Sequence, residues 1–133
     1  MVIVDEHGRL LPMGAAIDLM PHSPHAGIVG YLETGQQVVA HNSKQHGRAV
    51  ITLPEDFNNG GRIPIRVTSL PKTFAEANRI WQSAVNDVSR GVRWFPANNC
   101  QDFVSRALTG HNGSPTRNAL VGLAVLIAIL GSL

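Results

Sequence analysis

From His25 to Tyr31 the chain runs His-Ala-Gly-Ile-Val-Gly-Tyr, apolar in character after the opening histidine, with β-branched residues at 28 and 29. A short continuous run of this kind reads as a buried strand. Glu33-Thr34-Gly35 has turn chemistry, and Gln37–His41 repeats the apolar, β-branched character. The two runs therefore pair as a hairpin. Arg48–Leu53 supplies a third strand through Val50 and Ile51. Pro54-Glu55-Asp56-Phe57 and Asn58-Asn59-Gly60-Gly61 read as turn and loop. Ile63–Val67 makes a fourth strand, and Pro64 places it at an edge, because proline cannot donate to a ladder. Residues 1–24 are broken by Gly8, Pro12, Gly14, Pro21 and Pro24 and read as loop and short strands.

After Pro71 the period changes. Thr73 followed by Glu76 has the form of a capping box. Phe74, Ala77, Ile80, Trp81, Ala84, Val85 and Val88 fall on one helical face, and Gly91 ends the run. The spacing predicts a helix over 74–90. Val92–Phe95 is a connector with strand character. Asn98 and Asn99 are caps for a second helix over Gln101–Leu108, with Phe103, Val104, Ala107 and Leu108 inward. Gly110–Pro115 is a loop. Strands first and helices afterwards define an α+β class: a small antiparallel sheet with packed helices.

The chain has 133 residues, enough for one domain, which these elements place at residues 1–118. Hydrophobic residues make up 44% and charged residues 15%; the formal charge of +2 is scattered. No basic stripe interleaves with aromatics, so nucleic-acid binding is not expected. Residues 119–133 carry no charge and are almost wholly apolar, but fall short of the ~20 residues a membrane-spanning helix needs. An all-round apolar helix must be covered by its own domain, by a partner chain or second copy, or by lipid. The start of the chain has no basic leader and carries acids early, so no signal peptide is expected. With one free cysteine, this points to a reducing, cytoplasmic setting.

That cysteine, Cys100, falls at the opening of the second predicted helix. Unpaired N–H groups and the helix dipole favour an anion there. The position predicts a lowered thiol pKa, and helix-start N–H groups around Asn99, Cys100 and Gln101 that can hold an oxyanion. The alternative is that Cys100 packs beneath Phe103 and Val104. A thiol nucleophile needs a base. Of six histidines, His25 opens an apolar strand and His41 closes the neighbouring one, so a hairpin brings them together. His25 is the candidate base and His41 the residue that orients it. Asn98 and Asn99 also read as helix caps, Asn42 and Ser43 as a turn, Asp102 as a charge suited to the dipole, and Trp81 and Trp94 as core or pocket wall.

The segments His25–Leu32, Val38–Ser43 and Asn98–Val104, in that order, resemble the lecithin:retinol acyltransferase-like branch of the circularly permuted papain-like, NlpC-related superfamily. That branch includes small bacterial hydrolases and mammalian phospholipid acyltransferases. Its pattern is a strand opening with His-x-Gly/Ala, a second strand ending in His, and a helix opening with Asn-Cys-x-x-Phe-Val. Leu53–Phe57 resembles its middle region, and the likeness spans roughly residues 20–110. Carried over by position, Cys100 corresponds to the nucleophile, His25 to the base and His41 to the polar third residue. The loop between the two strands is slightly longer than in the mammalian members, and Gln101 stands where they often have Glu. The resemblance implies a thiol hydrolase or acyltransferase without cofactor or metal, acting on a peptide, a peptidoglycan fragment or an acyl lipid through an acyl-thioester. Two other readings remain: an inactive interaction module on the same fold, and a zinc site drawn from His22, His25, His41, His46 and Cys100.

Overall fold

The computed structural model describes residues 2–19, 25–61, 64–94 and 99–110. Within them, β1 (Ala16–Leu19), β2 (Ala26–Tyr31), β3 (Gln37–Ser43), β4 (Arg48–Thr52) and β5 (Ile65–Ser69) form one antiparallel sheet in the order β4-β3-β2-β1-β5. Three helices accompany it: α1 (Pro54–Phe57), α2 (Phe74–Ser89) and α3 (Cys100–Thr109). β2 is the central strand. Ile28 lies opposite Ala40 on β3 and Ala16 on β1.

The continuous apolar runs of β2 and β3 are explained by burial on both faces. On one face Ala26, Ile28, Val38 and Ala40 pack against Ile80, Trp81 and Ala84 of α2 and Phe103, Val104 and Ala107 of α3. On the other, Ile17, Leu19, Val29 and Val39 pack against Ile3, Leu11 and Phe57. This second face is covered by the first residues of the chain and by α1. The buried amide of Gln37 holds the first residues down, accepting from the Ile3 N–H and donating to the Ile3 carbonyl. Tyr31 adds a hydroxyl donated to the Leu11 carbonyl.

β2 carries two glycines, and their odd spacing points them at opposite faces. A Cβ at Gly30 would lie 2.3 Å from the Trp81 ring. A Cβ at Gly27 would lie 2.6 Å from a Val39 methyl and 3.1 Å from the Phe57 ring. An aromatic ring therefore lies close to the backbone of the same strand from each side.

The helix signals act largely as predicted. Thr73 caps α2 by accepting the Glu76 N–H at 3.0 Å. The return bond is displaced by one residue: Glu76 accepts from Lys72 rather than Thr73. Gly91, at φ 65°, follows the end of α2. The complete capping box is at α3, where Asn99 and Asp102 satisfy each other's backbone N–H groups. Buried Asp87 joins the two helices by accepting from Arg90 and from Arg106, the latter at 2.8 Å. Arg79 donates to the carbonyls of Ala107 and Leu108.

Several expectations change. Pro54–Phe57 is a turn of helix, started by proline at the first helical position, where its missing N–H costs nothing. β3 runs on to Ser43. The fourth predicted strand is β5, which begins after Pro64 and does lie at an edge. Residues 92–94 attach to β4: Ala49 donates to the Val92 carbonyl and Trp94 to the Gly47 carbonyl. Phe74 is 81% exposed. The chain at Gly14 passes under the Ala77 backbone, and Phe74 lies one turn beyond that contact, in a shallow groove with Pro12, Met13 and Pro71. No helix among the described residues is long and apolar enough to cross a membrane. Ile63, Phe95, Asn98 and the apolar segment 119–133 lie outside the described residues.

Gly30→Ala is expected to lower the unfolding free energy by roughly 2–3 kcal/mol, the usual cost of overpacking a tight core. Urea denaturation measures it. Combining the change with Trp81→Leu should recover part of the loss, since the added methyl then meets no ring.

Candidate active site

Cys100 is the first residue of α3, and α3 packs on the central strand. The thiol faces the backbone N–H of Ala26, the residue joined to His25, together with the N–H groups of Cys100 itself and Gln101. The cap fixes this helix start firmly. Asn99 Oδ1 accepts from Gln101 at 2.9 Å and Asp102 at 3.1 Å, and Asp102 Oδ2 accepts from Asn99 at 3.0 Å. The Asn99 side chain is thus engaged in holding the helix, and Gln101 is half-buried beside it.

The thiol does not follow the expected titration. Cys100 is 4% exposed, and burial pushes its pKa up to about 11. The Asp102 charge adds to the rise, while the three N–H groups oppose it. Desolvation of a thiolate outweighs the helix-start field, so the predicted lowering is reversed.

His25 stands immediately before β2 and is half-buried. Its ring stacks on Phe57, with centroids 4.6 Å apart and planes 23° apart. His41, on β3, meets His25 edge to face at 4.8 Å and 87°, and meets Phe57 at 5.2 Å. The hairpin thus brings the two histidines together, and α1 contributes the ring that backs both. Gly27 makes this arrangement fit. It lies two residues from His25 on the same face, where a Cβ would collide with the Val39 methyl and crowd the Phe57 ring. The glycine of the His-x-Gly motif therefore has a packing reason.

His41 is 2% exposed. Its Nε2 is 3.0 Å from Thr52 Oγ1 on β4, and its buried Nδ1 has no hydrogen-bond partner among the described residues. Burial pushes the His25 pKa down to about 4. Burial pushes His41 down to about 3, helped by the charges of His25 and His46. Both rings are neutral at physiological pH.

The remaining expected residues have local roles. Ser43 binds His46 at 2.9 Å across the turn, and Asn42 donates to the Arg93 carbonyl. Trp81 is core, whereas Trp94 lies under the Lys44 ammonium. Among the described residues, no three His, Cys, Asp or Glu side chains gather as metal ligands; His22 and His111 lie outside them. Phe57 and Thr52 were not singled out from the sequence. Phe57 had a signal, since an aromatic residue closing a Pro-started turn must be covered by something. Thr52 had none beyond its position on a strand. No protein family, curated protein or solved structure matches this chain.

The neutral histidine pair ties stability to pH. Each ring has a folded pKa below its unfolded value of about 6.5. As pH falls below that value the unfolded chain takes up protons and the folded chain does not, so the protein loses stability. Stability should be flat above pH 7 and fall by a few kcal/mol towards pH 4.5. Urea midpoints across this range test it, and His41→Gln should flatten the slope.

Proposed function

We propose that this chain is a cysteine-dependent hydrolase or acyltransferase acting on an amide or ester bond, on a circularly permuted papain-like fold of the lecithin:retinol acyltransferase-like kind. One observation carries the reading: the Cys100 thiol lies at the start of α3 against the first N–H of β2, one residue from His25, whose ring packs on His41. On this reading Cys100 is the nucleophile, His25 the base and His41 the third polar residue.

In the proposed reaction His25 acts as a general base towards a neutral thiol. With a thiol near 11 and an imidazole near 4, a resting ion pair is disfavoured. The proton therefore passes from Sγ to His25 as sulfur bonds to the substrate carbonyl carbon. The carbonyl π electrons move to oxygen, and N–H groups at the α3 start hold the oxyanion. On collapse, the bond to the leaving group breaks and His25 returns the proton to it. Water or an amine then attacks the acyl-thioester, with His25 again as base, and Cys100 is released. The substrate is an amide- or ester-containing peptide, peptidoglycan fragment or acyl lipid. Residues 119–133 would add a membrane or partner contact.

The depth of Cys100 favours a second reading, an interaction module that keeps the fold without the chemistry. Iodoacetamide alkylation of Cys100 at pH 7 separates the two. Under the catalytic reading His25→Ala slows alkylation by about tenfold or more, the usual scale of a positioned base, and Cys100→Ala abolishes hydrolysis of a p-nitrophenyl acyl ester. A rate indifferent to His25 supports the interaction module.

A further inference from the structure

The Nδ1 of His41 is buried and has no hydrogen-bond partner among the described residues, on a ring that is 2% exposed and packed edge-on against His25. Counting protons around the ring decides what this nitrogen is. The Thr52 hydroxyl has one proton, and its donation reaches the Leu53 carbonyl at 3.3 Å. With that proton on the Leu53 carbonyl, the hydroxyl oxygen accepts from His41 Nε2 at 3.0 Å and Nε2 carries the hydrogen; with the proton on His41 the roles exchange. The opposite tautomer would bury an Nδ1–H donor with no acceptor among the described residues, a more costly orphan than a bare lone pair. The cost of an orphaned N–H therefore selects the Nε2–H form, with Thr52 donating to Leu53.

We infer that Thr52 is a positioning residue: it fixes His41 as the Nε2–H tautomer, so that the buried Nδ1 lone pair is the acceptor available to His25. The inference rests on the Cys100–His25 reading for its purpose, and on the hydrogen-bond pattern for its geometry. When His25 takes the thiol proton it becomes a cation with two N–H groups. A neighbouring lone pair stabilises that cation, whereas a neighbouring N–H opposes it. The two rings already lie within 4.8 Å, so a ring rotation rather than a backbone movement would bring donor to acceptor. Thr52 touches no substrate in this scheme. It acts on His25 only through His41.

The test uses the full chain and two readouts. Long-range ¹H–¹⁵N NMR reports the His41 tautomer directly, and iodoacetamide reports Cys100. The wild type and Thr52→Ser should show His41 protonated at Nε2 and alkylate alike. Thr52→Val should mix the tautomers and slow alkylation by about tenfold. His41 protonated at Nδ1 in the wild type overturns the inference without need of any variant. Wild-type alkylation in a folded Thr52→Val protein overturns it too. If His25→Ala alkylates like wild type, the catalytic reading fails instead, and the tautomer spectrum still decides what Thr52 does to His41.

Discussion

The architecture depends on how closely aromatic rings approach the backbone of one strand. β2 occupies the middle of the sheet, and Gly30 and Gly27 open its two faces to Trp81 and Phe57. Trp81 anchors α2, which holds α3 through the buried Asp87 carboxylate and the Arg79 guanidinium. Phe57 anchors α1 and backs the histidine pair. Close packing of this kind tolerates little added volume, so the helix that carries Cys100 and the ring that supports His25 are both located relative to one strand.

The site shows two opposing influences on an ionisable group, and their sizes differ. Backbone N–H groups at a helix start draw a thiol towards its anion by a modest amount. Removing the same thiol from water pushes the other way more strongly, and the neighbouring Asp102 charge reinforces that push. The result is a thiol and two imidazoles that are all uncharged at neutral pH. An uncharged site costs less to bury than an ion pair would.

Much of the frame was legible in the sequence because its signals were local. The apolar run of β2, the turn at Glu33–Gly35, the cap at Thr73 and the stop at Gly91 each act over a few residues, and each is where the sequence placed it. The pairing of His25 with His41 followed from hairpin geometry alone. Features that depended on distant partners were less legible. Helical spacing put Phe74 on the apolar face, but only the path of the chain at Gly14 determines where the cover ends. Position at a helix start implied an activated thiol, but only the packing of α3 on β2 reveals how deeply Cys100 is buried. Thr52 acquires meaning from a strand two places away from β2, which no sequence spacing announces.

The histidine pair lies within one hairpin, whereas Cys100 arrives from the far end of the described chain. Contacts of short sequence separation close early and cheaply, and long-range ones wait for the sheet and helices to assemble. The imidazoles can therefore gather on a partly formed sheet, while the thiol reaches the Ala26 N–H beside His25 only when α3 docks. Assembly of the site then coincides with completion of the fold. A chain caught halfway would hold the two rings without the sulfur, and the thiol would still be in solvent, open to adventitious oxidation. Prompt docking of α3 thus guards the only cysteine during synthesis.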